Sequence, residues 1–423
     1  MKRCTSSGGL GGGFFLALFL GVVSCAVAAD TPAPAESPPK PVDGLLASNK
    51  KGEFVHPGLL HNDEDFARMR THLDTEPWKS GWDKLTANRH AQLNYHPRPL
   101  VIVVRGRDAA HTDAENYPQL FNDIAAAYAC ALRWRISGER AYADKAVEIL
   151  DAWSSTLTRI KGSSDESLAA GIYGYEIANA AEIMRTYTGW KPESLARFQK
   201  MMLDVFYPMN RDFLRNHRGT KDDHYWANWD LCNMASMMAI GVLCDQRPIY
   251  DEVIRYFKSG KGNGAIRNAV PFVHPGGLGQ WQESSRDQGH TLMGIGLMGA
   301  ICEMAWKQGD DLYGYDDNRF LAGCEYVAKY NLGEDAPFHP VPNSSFGLQT
   351  SLNAKERGEL RPVWELVYNH YVHRKGLAAP WTAKMAGKVR PEGGGGDYGP
   401  NSGGFDQLGY GTLTASRDNA PKK

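Results

Sequence analysis

The strongest constraint on this chain is a succession of apolar segments with helical period, several of them apolar or small on nearly every face. Between 116 and 136, Leu120, Ile124, Ala127, Tyr128 and Leu132 recur at three- and four-residue spacing, which is one stripe of a helix. The stretches 178–183 and 294–305 are almost wholly apolar or small. A helix of that kind needs protein all round it, whereas a striped helix needs it on one side only. Alternation of the two kinds predicts an all-α fold, an (α/α) toroid of about six or seven helical hairpins with buried inner helices and half-exposed outer ones.

Start signals place the helices. Asn62 caps one that runs to Leu73, with Asp65 at its third position. Pro77 opens a second. Others are predicted over 116–136, 140–157, 167–187, 192–216, 228–243, 248–258, 286–308, 317–330 and 354–375, the last clear helix. Their short connections make them antiparallel hairpins. Gly294, Gly296 and Gly299 would let inner helices approach closely. Strand signals are scarce, with one candidate at 100–104. The stretch 390–413 is rich in Gly, Asn, Asp and Tyr; its aromatics, Phe405 and Tyr410, predict an ordered loop over the fold.

The chain begins with a basic pair, Lys2 and Arg3, followed by an apolar run at 14–23 that is short for a membrane span. Small residues at 26–29 offer a cleavage site, so 1–29 reads as a secretory signal and the mature chain as exported, periplasmic or secreted. A second reading takes Val22 to Cys25 as a lipobox that would place a lipid on Cys25. Residues 30–50 are a Pro-rich tether, and 51–423 a single catalytic domain. No later segment is long and apolar enough to span a bilayer. A net charge of −1 argues against a general nucleic-acid binder. Five cysteines follow the leader: Cys130, Cys232, Cys244, Cys302 and Cys324. They form no CxxC pair and read as small buried hydrophobes.

Chemistry concentrates where polar, charged and aromatic residues run straight into apolar helices. Gly279 to Thr291 holds Gln282, Glu283, Arg286, Asp287, Gln288 and His290. At helical spacing Glu283, Asp287 and His290 share a face, and Arg286 and His290 are four apart and can touch. Lys221 to Asp230 holds His224, Tyr225, Trp226, Asn228 and Trp229. His224 and Asn228 share a face, and the tryptophans can stack on sugar rings or fill the core. Tyr173 and Tyr175 flank Gly174 at a third such start, lining a cleft or packing inside. Helix N-termini favour anions, so three of them around one pit, with Arg286 and Asn228, imply an acidic, carbohydrate-like substrate. There is no GxSxG elbow, P-loop or HExxH motif. The pairs His224 with Asp230 and His274 with His290 match no standard metal spacing. Asp223 and Glu283 keep an inverting glycosidase open.

Several pieces resemble the alginate lyase superfamily of polysaccharide lyases: His56 to Leu60, Asn228 to Leu231, Gly279 to Thr291, Asp311 to Gly314, Glu325 to Asn331 and Phe405 to Leu413. The segment with Glu283, Arg286 and His290 is the most specific. The resemblance implies an exported toroid that cleaves a 1,4-linked uronic-acid polymer by β-elimination. A polar group or Arg neutralises the C5 carboxylate, a His or Tyr takes the C5 proton, and a Tyr or His protonates O4. On this pattern Asn228 and Arg286 are the neutralising groups, and His290 or His224 the base. Tyr225, Tyr173 and Tyr175 are the candidate acids. Tyr173, Tyr175, Trp226, Trp229, Gln282, Glu283, Gln288 and Tyr410 would bind substrate. Asn228 is followed by Trp229 where the best-known pattern has His, and His290 stands where a Tyr is expected. Alginate and glucuronan both fit. No cofactor is implied, and nothing demands a structural calcium ion. The competing readings are an inverting α/α-toroid glycoside hydrolase or unsaturated-uronyl hydrolase, and a carbohydrate-binding protein without activity.

Overall fold

What each helix buries divides them into two kinds. A computed structural model describes residues 53–399 and 405–418. The predicted leader at 1–29 and tether at 30–50 lie outside the described residues. The helices are α1 (Asp63–Thr71), α2 (Trp78–Ala87), α3 (Pro118–Ser137), α4 (Arg140–Ser154), α5 (Glu166–Met184), α6 (Pro192–Met201), α7 (Tyr207–Asn216) and α8 (Ala227–Leu243). They continue with α9 (Arg247–Ser259), α10 (Ile266–Ala269), α11 (Gln288–Lys307), α12 (Tyr315–Asn331), α13 (Trp364–Tyr368), α14 (Pro380–Val389) and α15 (Gly411–Thr414). Every residue of α8 is buried, and every residue of α5 after Glu166. By contrast, α9 buries only Ile249, Tyr250, Val253 and Phe257, one stripe at helical spacing. Inner helices pack in sequence, α3 on α5, α5 on α8 and α8 on α11, while α4 backs α3 and α9 backs α8. This is the predicted all-α toroid.

Most predicted helices lie where expected, and Asn62 and Asp65 form the reciprocal cap of α1. The 192–216 helix is continuous but widens into a π turn, Met202–Phe206, between α6 and α7. That turn lies directly before Pro208, which has no N–H to give the preceding turn. The predicted 354–375 helix is a correction. It begins only at Trp364 and ends in a second π turn, Asn369–Arg374. Gly358 has φ +83°, and the residue before Pro362 is barred from the α region, so 354–363 stays irregular. α14 was not predicted, so 354–375 is not the last helix.

Of the three glycines expected at helix contacts, Gly299 faces a helix closely, where a side chain would lie 3.3 Å from Val367 of α13, while α5 and α8 approach at other glycines. A side chain on Gly171 would strike Cys232 and Asn233 of α8, and one on Gly174 would strike Ser236. Gly294 instead abuts the Trp281 ring, and Gly296 abuts Val363. The 100–104 strand is real and short: β1 (Ile102–Val104) pairs in parallel with β2 (Arg159–Lys161). Two hairpins escaped prediction, β3 (Phe272–His274) with β4 (Leu278–Gln280), and β5 (Val341–Asn343) with β6 (Gly347–Gln349). Three-residue strands are too short to show alternation.

The C-terminal stretch is ordered over the fold where it is described. Phe405 stacks on Phe121 at 4.1 Å, and Asp406 pairs with Arg361 at 3.1 Å. The five cysteines are free and buried. Among the described residues no helix is long and apolar enough to cross a membrane.

Candidate active site

The two richest sequence segments meet in space. Before α11 the chain makes a short 3₁₀ turn, Gln282–Ser285, and Asp287 then caps the helix with its carboxylate on the His290 N–H at 2.8 Å. Glu283, Asp287 and His290 therefore do not share a helix face, as spacing alone predicts; Glu283 and Arg286 precede the helix. The turn aims Glu283 at the start of α8. Its carboxylate accepts from the Asn228 N–H at 3.1 Å and from Arg286 Nη1 at 3.2 Å. Gln282 accepts from the Ala227 N–H at 3.1 Å. Arg218, just before α8, pairs with Glu166 at the start of α5 at 2.8 Å. The N-termini of α5, α8 and α11 are thus gathered together.

At the centre stands a relay. His290 Nδ1 lies 2.8 Å from both Asp287 carboxylate oxygens, and its Nε2 lies 3.0 Å from Arg286 Nη2. Arginine only donates, so Nε2 accepts and Nδ1 carries the proton that Asp287 receives. His290 is the open member of the group, its side chain 38% exposed. Burial alone would raise the Asp287 carboxyl; the hydrogen bonds from His290 and the charges of His290 and Arg286 outweigh it and hold it at about 2. Glu283 is fully buried, and burial pushes it up to about 7 against the pull of Arg286, His290 and the Asn228 N–H. Asn228 is buried with Oδ1 unpartnered and Nδ2 only 3.5 Å from Met293 Sδ. A buried amide so poorly satisfied is uncommon.

The mouth is aromatic. Trp226 lies between Phe346, stacked at 5.1 Å, and the Arg286 guanidinium, 5.7 Å from its ring centre. His224 Nδ1 meets Ser345 Oγ at 2.5 Å. Tyr225 is half-buried; burial raises its hydroxyl, against the charge of Arg218, and that hydroxyl has no hydrogen-bond partner among the described residues. Phe346 and Leu348 of the β5–β6 hairpin are 57% and 62% exposed beside this mouth. Sequence reasoning missed that hairpin and the orienting role of Asp287, although an Asp three residues before a His at a helix start was a usable sign.

Several expected substrate contacts are corrected. Trp229 is buried between Phe213 and Tyr225, and Trp226 is covered. Gln282 and Glu283 are buried caps of α8, and Asp287 caps α11, so the Ala227, Asn228 and His290 N–H groups of those two helix starts are already taken. Gln288 is buried against Ser284, Asn331 and Asn353. Tyr175 donates to the Asp406 carbonyl at 2.8 Å, and Tyr410 is buried beside Tyr128. Tyr173 is buried and binds Arg105. Neither tyrosine of that pair is open to a substrate, because α8 and the C-terminal stretch cover them. Asp230 pairs with His217 at 2.8 Å rather than with His224, and His274 binds Gln280 rather than His290.

Comparison with known proteins bears on the fold and the family. The fold resembles alginate lyase A1-III from Sphingomonas species A1, with TM-score 0.55, 14% identity, and 85% of this chain and 98% of that one covered. An alginate lyase from Bacteroides ovatus gives TM-score 0.55 and 14% identity over 86% of this chain and all of that one, 100%. A variant of A1-III complexed with a tetrasaccharide gives TM-score 0.54 and 15% identity over 86% and 98%. At such identities the likeness speaks for the fold alone. No curated protein matches the chain by sequence. The sequence model of the family described as alginate lyase matches residues 75–338, more than half of the 423. The chain therefore belongs to the alginate lyase family and is a polysaccharide lyase.

Proposed function

We propose that the enzyme cleaves a 1,4-linked polyuronate, alginate or glucuronan, by β-elimination at the Arg286–His290–Asp287 relay. The observation that carries this reading is the hydrogen bond from Arg286 to His290 Nε2. A substrate carboxylate that takes Arg286 releases Nε2 beside the C5 proton, so binding itself frees the base. The C5–H electrons pass into the carboxylate, which Arg286 and the Asn228 amide stabilise as it gains charge. They then form the C4=C5 bond and expel O4. Tyr225 protonates that oxygen, and its ring closes the mouth beside Trp229. Asp287 holds the imidazole in the tautomer that leaves Nε2 basic. Glu283 is a poor glycosidase carboxylate, since it is fully buried and bonded to Asn228 and Arg286.

Ultraviolet absorbance of unsaturated ends tests this on polymannuronate, polyguluronate, glucuronan and hyaluronan. Turnover is expected on a polyuronate. Arg286→Ala and His290→Ala are each expected to lower it by roughly a hundredfold or more while the circular dichroism stays native. New reducing ends without that absorbance would overturn the elimination.

A further inference from the structure

The far end of α11 holds a different chemistry. Glu303, roughly 20 Å along the helix from His290, joins a largely buried network with Lys307, Asp65, Arg68, Arg374 and Arg417. Arg374 forks onto both Glu303 oxygens at 3.0 and 2.9 Å, and Lys307 reaches Glu303 at 3.2 Å as well as Asp65. Arg68 and Arg417 take Asp65 at 2.8 and 3.2 Å. Burial alone would raise both carboxyls; Lys307 with Arg68, and Lys307 with Arg374, outweigh it and hold Asp65 at about 2 and Glu303 well below its usual range. Four cations thus meet two ionised carboxylates, and two positive charges are left over. Asp311, whose field also reaches His370, is paired with Lys375 at 2.9 Å, and Asp418 is exposed beside His72. Arg417 registers the excess: burial, then the charges of Arg374 and Arg68, hold its guanidinium below the usual range.

A cavity of about 10 Å³ lies among Asp65, Glu303, His370, Arg374 and Arg417. Asp65 is the one side-chain acceptor of the Arg417 guanidinium among the described residues. His370 is 1% exposed, and burial and Arg374 hold it at about 3, so its ring is neutral. Arg374 Nη1 lies 2.6 Å from His370 Nδ1; arginine only donates, so Nδ1 accepts and the hydrogen sits on Nε2. That Nε2 is buried and has no hydrogen-bond partner among the described residues. A buried N–H without an acceptor and an uncompensated buried charge are each costly.

We propose that this cavity is a halide site, in which Arg417 and the His370 Nε2–H donate to one chloride ion. A volume of about 10 Å³ admits one water-sized sphere, which excludes phosphate, sulfate and a sugar carboxylate. Water fits the space but brings no charge to offset the excess. The ion ties the C-terminal stretch, through Arg417, to α11 and to the π turn after α13. The site is independent of the polyuronate reading.

Thermal melts of the full chain in sodium chloride and in sodium gluconate at equal ionic strength, and diffraction from crystals soaked in sodium bromide, test it. Chloride is expected to raise the melting temperature by about 2–4 °C along a saturating curve. Bromide is expected to give an anomalous peak at the cavity. Arg417→Gln is expected to abolish the chloride response and leave turnover unchanged. Equal melting temperatures in the two salts, a cavity without a bromide peak, or a variant that responds to chloride as the wild type does would each overturn the proposal. The bromide measurement needs no variant, so it decides the matter if Arg417→Gln does not fold.

Discussion

Glu283 shows how one side chain joins two segments 55 residues apart. It is buried, it accepts from the Asn228 N–H, and it pairs with Arg286. Burial pushes its carboxyl from 4.5 up to about 7, so between those values the folded protein holds a proton that the unfolded chain releases. Its contribution is therefore favourable at the low end of that window and is lost as pH rises through about 7. The size of the shift implies a change of about 3 kcal/mol across the window. Glu283→Gln removes the titrating group, so the difference in unfolding free energy between wild type and variant should change with pH across that window. Urea denaturation at several pH values measures it, and parallel curves would show that Glu283 does not titrate there. Asp287 moves the other way. With its carboxyl held at about 2, its contribution persists above the usual 3.8 and is lost only as pH falls toward 2.

At the scale of elements, α11 combines a structural duty and a chemical one at its N-cap. Asp287 caps the helix and also orients His290. Asparagine caps a helix about as well as aspartate, but it carries no charge to fix the imidazole tautomer. Asp287→Asn is therefore expected to keep the cap and to lose, at neutral pH, only the charge-dependent contribution of about 2 kcal/mol that holds the carboxyl at about 2. The same change should lower kcat by about a hundredfold, the scale of general acid–base catalysis. Asp287→Ala should lose both, with a further cost near 1 kcal/mol for the missing cap. Thermal melts and initial rates, compared across the two variants, separate the duties. Equal rates in wild type and Asp287→Asn would remove Asp287 from the mechanism.

For the whole molecule, the C-terminal stretch closes what the inner helices leave open. Leu413 is fully buried against α2, where a side chain on Gly81 would strike it, and Tyr175 and Arg361 bind Asp406. Leu413→Ala should leave a cavity and cost about 2–5 kcal/mol, read as a lower denaturant midpoint. A loss well below that would mean that the stretch folds independently of the toroid core. Activity should survive under conditions where the variant is folded, because Leu413 makes no contact with the relay residues.

Period and caps determined most of the helices up to α12 and the toroid, because burial on all sides or on one side is written into spacing. They also exposed Arg286 and His290 as neighbours, since a four-residue interval is a local fact. Only the tertiary structure decided which polar residues are open. Trp229, Gln288 and Tyr175 carry site-like side chains but are enclosed by elements distant in sequence. The turn that frees Glu283 from α11 is made by backbone geometry around the Asp287 cap, which overrides the helical spacing.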